Sequence, residues 1–217
     1  MDNIKAIIFD MDGVLVDSEP IHERAEMEIC REFGMEVSKK EWDNFRGKKL
    51  EDIFSYASKK YGTGNEPIEE MIERKIARYL SLALREMELI DGAAEFLQKL
   101  KESKKYLYAL TTSGRKIQQD QILSKFNLEN FFPIMVTADD VKHGKPHPEP
   151  YLTTARLLGE APADCLVIED SDNGILSTRA AGCLACGITT TFPKERLEEA
   201  GADLVVASFM ELDKILF

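Results

Sequence analysis

The chain has 217 residues, 44% of them hydrophobic and 31% charged, with a formal net charge of −11. That supplies enough apolar material for a buried core and rules against global disorder, while the acidic balance argues against nucleic acid or an anionic membrane as partner. No stretch approaches the roughly 18 uninterrupted apolar residues of a membrane span. The apolar run at residues 7–9 stops at Asp10, without the basic start and cleavage site of a signal peptide, so a cytoplasmic location is expected.

Residues 4–9 form a short, β-branched, almost wholly apolar run, the pattern of a strand buried on both faces in a parallel sheet. The run leads into Phe9-Asp10-Met11-Asp12-Gly13-Val14-Leu15-Val16-Asp17. Carboxylates at i and i+2 point the same way while the backbone stays extended, and Gly13 lets the chain turn sharply after them. Such neighbours repel unless a cation or a shared proton intervenes. With a metal present, one can attack while the other carries a proton. Alone, the pair serves equally well as a strand end and turn.

Between residues 19 and 88 no strand pattern occurs. Helical patterns cover 19–33, 50–61 and 67–87, punctuated by Gly34, Gly47 and Gly62-Thr63-Gly64-Asn65. This predicts an all-helical domain over 18–88, inserted into a core made of 1–17 and 89–217, with connections near 17–19 and 89–92. Its segment Arg46-Gly47-Lys48-Lys49-Leu50-Glu51-Asp52 is locally basic, which suits an anion contact and a solvated helix start about equally.

Strand-like runs return at 106–110, 134–136, 166–168, 184–188 and 204–206, separated by amphipathic stretches at 92–102, 116–126, 149–158 and 173–181. The alternation predicts βαβ units and a doubly wound parallel sheet. Ligands bind such sheets beyond the carboxyl ends of the strands, and three more polar segments fall at such ends. Thr111-Thr112-Ser113-Gly114 offers hydroxyls and backbone N–H groups to an anion, and equally makes an ordinary strand-to-helix turn. Gly144-Lys145-Pro146-His147-Pro148-Glu149-Pro150 presents a lysine from a proline-stiffened loop, a suitable point charge for phosphate. His143 and His147 beside it read as exposed loop histidines. Glu169-Asp170-Ser171 ends an apolar strand with two acids, which a hard divalent cation or a helix N-terminus would each accommodate.

Four cysteines, Cys30, Cys165, Cys183 and Cys186, make no disulfide framework for a chain this long. Cys183-Leu184-Ala185-Cys186 lacks the second pair that a zinc site requires, and reads as buried small residues.

Taken together, Asp10-x-Asp12-Gly13-x-x-x-Asp17-Ser18-Glu19, Thr112, Gly144-Lys145-Pro146 with Pro148 and Tyr151, and Glu169-Asp170-Ser171 with Gly174 and Ala180-Ala181-Gly182 resemble the haloacid dehalogenase superfamily. The likeness is to its phosphatase and β-phosphoglucomutase branch with a helical cap. It spans nearly the whole chain and implies a Rossmann-like core. It also implies Asp10 as the nucleophile, Asp12 as acid and base, and Thr112, with Ser113, and Lys145 as phosphoryl holders. Mg²⁺ would be bound by Asp10, the Asp12 carbonyl and Asp170, with Glu169 close by. The helical cap would close over a small phosphorylated metabolite. His22, Arg46 and Lys49 are the cap residues that would touch substrate.

The dehalogenase branch keeps no second acid at the Asp12 position, so Asp12 favours phosphorus chemistry. The arginine that grips the remote phosphate in β-phosphoglucomutases falls on Leu50 here, so hydrolysis of a sugar phosphate is expected ahead of mutase activity. A catalytically silent binding protein is disfavoured because no catalytic position is lost.

Overall fold

The computed structural model describes residues 3–42, 45 and 49–217. Six strands, β1 (Ala6–Phe9), β2 (Leu107–Thr111), β3 (Met135–Val136), β4 (Cys165–Glu169), β5 (Leu184–Ile188) and β6 (Leu204–Val206), form a sheet in the order β3-β2-β1-β4-β5-β6. Every neighbouring pair is parallel. The doubly wound sheet expected from the sequence is therefore present.

Among the described residues the helices are α1 (Glu19–Glu32), α2 (Lys39–Trp42), α3 (Leu50–Tyr61), α4 (Ile68–Glu86), α5 (Ala93–Ser103), α6 (Lys116–Lys125), α7 (Glu149–Leu158), α8 (Asp172–Ala181), α9 (Lys194–Glu199) and α10 (Phe209–Leu216). The sequence reading did not anticipate α2, α9 and α10. Two of these are very short, and α9 buries only Leu197. The third, α10, buries Phe209, Leu212 and Leu216 and begins at Ser208, whose hydroxyl accepts the Glu211 N–H.

The chain divides into two compact units, Met1–Asp17 with Glu88–Phe217, and Ser18–Met87. In the α/β unit, β1 is buried along its whole length, and its side chains alternate between the two faces of the sheet. Ala6 and Ile8 pack with Tyr151, Ala155, Cys165 and Val167 on the face covered by α7 and α8. Phe9 turns the other way, with its ring 6.1 Å from that of Phe96 on α5. Phe96 lies 5.2 Å from Phe209 on α10. Each such buried side chain contributes roughly 1.5–3 kcal/mol of apolar burial, which is why both faces of the strand must be apolar. All four cysteines are free and buried.

The helical unit has its own core of Ile29, Cys30, Met35, Trp42, Phe45, Ile53, Phe54, Ala57 and Met71. Helix α3 occupies the expected span. None of the helices among the described residues is long and apolar enough to cross a membrane.

After β1 the chain builds β2 and β3 on one side, then crosses β1 to place β4 on the other. The crevice beyond the carboxyl ends of β1 and β4 is thus the topological switch point, where this architecture binds ligands.

Candidate active site

Asp10 follows the last residue of β1, and its N–H donates to the Ile168 carbonyl of β4 (3.0 Å). Alternation puts Asp10 on the Ala6 and Ile8 face, toward α7. There the Lys145 ammonium, only 7% exposed, donates to Asp10 Oδ1 at 2.7 Å and to Glu169 Oε1 at 2.6 Å. The Lys145–Pro146 peptide bond is cis.

Glu169 ends β4 on the same face as Cys165 and Val167 and is wholly buried. Its Oε1 also accepts from the Tyr151 hydroxyl at 2.5 Å. Its Oε2 accepts from the Asp170 and Ser171 N–H groups (3.2 and 3.4 Å) and from the Ser171 hydroxyl (3.1 Å). Glu169 is therefore fully engaged in holding Lys145, Tyr151 and the entry to α8. The first turn of α8 packs so closely that a Cβ on Gly174 would come within 1.9 Å of the Glu169 carboxylate. Asp170, one residue on, faces the opposite way, toward Gly13 and the Thr191 hydroxyl that hydrogen-bonds it.

The electrostatics follow from burial. Burial pushes the Asp10 carboxyl up to about 7; Lys145 opposes this, while Glu169 and Asp12 add to it. Burial, then the Glu169 and Asp10 charges, lift Asp170 well above the ordinary carboxylate range. For Lys145, burial works against the ammonium, but Asp10 and Glu169 outweigh it and hold the group charged. Asp10, Glu169 and Asp170 bring oxygens within 4.8 Å of one another. One buried ammonium against three carboxylates leaves negative charge uncompensated, a donor set that fits a hard divalent cation.

Thr111 and Thr112 take different roles. The Thr111 hydroxyl is buried against that of Thr154 at 2.6 Å. Thr112 lies one residue beyond β2, where its N–H donates to the Val136 carbonyl (2.9 Å) and its Oγ1 accepts from the Gly114 N–H (3.1 Å). Ser113 is exposed beside it. A buried carboxylate, a second acid at Asp12, a fixed ammonium and a hydroxyl just beyond β2 are the kinds of group that phosphoryl transfer uses.

Residues 7–188 match the sequence profile of the haloacid dehalogenase-like hydrolases. The chain belongs to this family. It is 30% identical over 210 residues to hexitol phosphatase B of Escherichia coli strain K12, covering 96% of this chain and 94% of that protein. It is likewise 30% identical over 217 residues to β-phosphoglucomutase of Bacillus subtilis strain 168, covering 96% and 92%. A haloacid dehalogenase family hydrolase of Deinococcus radiodurans R1, solved with bound phosphate and sodium, superposes with a TM-score of 0.83 at 27% identity, over 99% of this chain and 95% of that one. This haloacid dehalogenase-like hydrolase is an enzyme, and its relatives include phosphatases and a phosphomutase.

The expected cap residues of the hydrolase are distributed differently. Arg46 lies outside the described residues. Lys49 is exposed just before α3. His22 is engaged within the helical unit: its ring stacks on Tyr79 (centroids 4.0 Å apart) and its Nδ1 accepts from Lys75 Nζ at 2.7 Å. Lys75 is only 4% exposed and also pairs with Glu26 at 3.2 Å. The sequence reading missed Lys75, although a charge at its place in the Met71, Tyr79, Leu82 stripe of α4 was visible. It also assigned no role to Tyr151 or Thr191, whose partners are remote in sequence.

Proposed function

We propose that this enzyme is a magnesium-dependent phosphatase that hydrolyses a small phosphate monoester, of the sugar-phosphate class, in the cytoplasm. The observation that carries the reading is the ammonium of Lys145 held 2.7 Å from the buried Asp10 carboxylate at the switch point, with Asp170 in the same cluster. The names of the Escherichia coli and Bacillus subtilis relatives support the substrate class.

Asp10, Asp170 and the main-chain carbonyl of Asp12 would hold the magnesium ion. When bound, the ion supplies neutralisation of the phosphoryl oxygens and of the attacking carboxylate. An Asp10 carboxylate oxygen attacks phosphorus as the bond to the ester oxygen breaks, leaving an aspartyl phosphate. Asp12 gives that departing oxygen a proton. The Asp12 carboxylate then takes a proton from the water that attacks the aspartyl phosphate, releasing inorganic phosphate and restoring Asp10. Lys145 neutralises a phosphoryl oxygen, and Thr112 donates its hydroxyl hydrogen to another. Glu169 acts behind them, fixing Lys145 through the 2.6 Å contact.

The test is hydrolysis of an aryl phosphate with magnesium, by wild type and by Asp10→Asn. Wild type turns over; the variant melts as wild type does and loses roughly 10⁴-fold or more in rate, the scale on which loss of a nucleophile acts. Undiminished turnover by the variant removes Asp10 as nucleophile. With β-glucose 1-phosphate primed by the bisphosphate, phosphate release is expected to outpace formation of glucose 6-phosphate. The reverse ranking identifies a mutase.

A further inference from the structure

The two histidines beside Lys145 are exposed, and both face one carboxylate. Nδ1 of His143 lies 2.9 Å from Glu149 Oε2, and Nδ1 of His147 lies 3.9 Å from the same oxygen. The two imidazole rings are 4.6 Å apart, centroid to centroid. All three side chains offer ligand atoms within 4.8 Å of one another.

We propose that His143, His147 and Glu149 form a binding site for a divalent transition-metal ion of the zinc class, separate from the carboxylate cluster at Asp10. The donor chemistry selects the ion. Two neutral imidazoles and one carboxylate suit zinc, copper or nickel, whereas magnesium prefers oxygen alone. The spacing fits as well. Zinc binds nitrogen and oxygen at about 2.0–2.2 Å in tetrahedral geometry, which sets neighbouring ligand atoms about 3.3 Å apart. The contacts of 2.9 and 3.9 Å bracket that separation, and the ion takes the place of the proton that His143 Nδ1 shares with Glu149 Oε2.

The frame behind the donors is already ordered. Glu149 Oε1 accepts the Lys142 N–H (2.9 Å) and Oε2 accepts the His143 N–H (3.1 Å). Those contacts, with His143 itself, keep its carboxyl below the usual range and hence ionised. The His147 carbonyl is anchored to α8 by the Ser177 hydroxyl at 2.7 Å, and the His147 N–H closes a turn on Gly144 at 3.0 Å. His147 Nδ1 accepts the Glu149 N–H (3.2 Å), so its lone pair already points at the first turn of α7 and is exchanged from that N–H to the ion. An ion there ties the residues flanking Lys145 to the first turn of α7. It acts as a brace for the loop that carries the lysine and touches no reacting atom.

The experiment is calorimetric titration of zinc into the full chain in excess magnesium, which occupies the carboxylate cluster. Wild type is expected to take up zinc in the micromolar range and to melt higher with it. The His143→Asn, His147→Asn double variant folds as wild type does, because both side chains are exposed, and binds zinc at least about tenfold more weakly, since even outer partners of a metal site are worth 10–100-fold. Asp170→Asn retains the zinc site. Equal binding by the double variant, or loss of it in Asp170→Asn, assigns the zinc to the carboxylate cluster and overturns the proposal, as does no uptake by wild type.

Discussion

A Cβ on Gly13 would stand 1.9 Å from Oδ2 of Asp170 and 2.6 Å from the Thr191 hydroxyl. Gly13 also has φ +71°, a region that costs an L side chain roughly 1–2 kcal/mol. Two independent constraints thus demand glycine between the Asp10-Met11-Asp12 stretch and the Asp170 loop. Its carbonyl accepts from the Thr190 hydroxyl, which closes the same junction. We expect Gly13→Ala to lose about 2 kcal/mol or more of stability, read as a drop of roughly 2–4 °C in Tm per kcal/mol. Displacing Asp170 by even about 1 Å is on the scale that costs 100-fold in rate, so aryl phosphate turnover should fall at least that far. A variant with wild-type rate would detach Asp170 placement from catalysis.

The six strands were legible because a parallel strand covered on both faces must be apolar throughout. The division of labour between Glu169 and Asp170 was also latent in the alternation of β4: Cys165, Val167 and Glu169 share the α7 face, and Asp170 points away. Strand periodicity says nothing about which helix residue meets Glu169, so Tyr151 was visible in the motif but its 2.5 Å contact with Glu169 was not. The Thr111 hydroxyl likewise meets Thr154 on α7, a partner that strand periodicity does not name. The meeting of His143, His147 and Glu149 depends on a loop conformation with no periodicity from which to derive it.

Tyr151 and Lys145 converge on one oxygen of Glu169. A hydrogen bond to a buried charge is worth roughly 1.5–3 kcal/mol, so Tyr151→Phe should lower stability by about 2 kcal/mol without changing the fold. Because Lys145 loses part of its anchor, kcat should drop several-fold more than KM rises. Wild-type kinetics in this variant would make the tyrosine purely structural.

The Asp10, Glu169 and Asp170 cluster predicts an unusual pair of responses. Replacing Asp170 with Asn removes one of the buried like charges, so the metal-free variant should melt higher than metal-free wild type. Magnesium at about 100 times its Kd should stabilise wild type by about 2.7 kcal/mol and the variant far less. Thermal melts with chelator and with magnesium read both effects. An equal magnesium shift in the two proteins would exclude Asp170 as a ligand.

His22 supplies the pH prediction. Lys75 has only hydrogens to donate, so the 2.7 Å contact requires a lone pair on His22 Nδ1 and a neutral ring. Burial, then the Lys75 charge, hold its pKa well below the ordinary value. Its other packed neighbours are the Tyr79 ring and, across Lys75, Glu26. The unfolded chain protonates this histidine near pH 6.5 while the folded chain does not. The unfolded state therefore binds the extra proton, and stability falls as pH drops below that value. His22→Gln, whose amide oxygen still accepts from Lys75, lacks this titration. Between pH 7.5 and 5.5 wild type should lose roughly 1 kcal/mol more than the variant, measured by denaturant melts at each pH. Parallel stability curves for the two proteins would mean that His22 is protonated in the fold and that Lys75 is held by Glu26 alone.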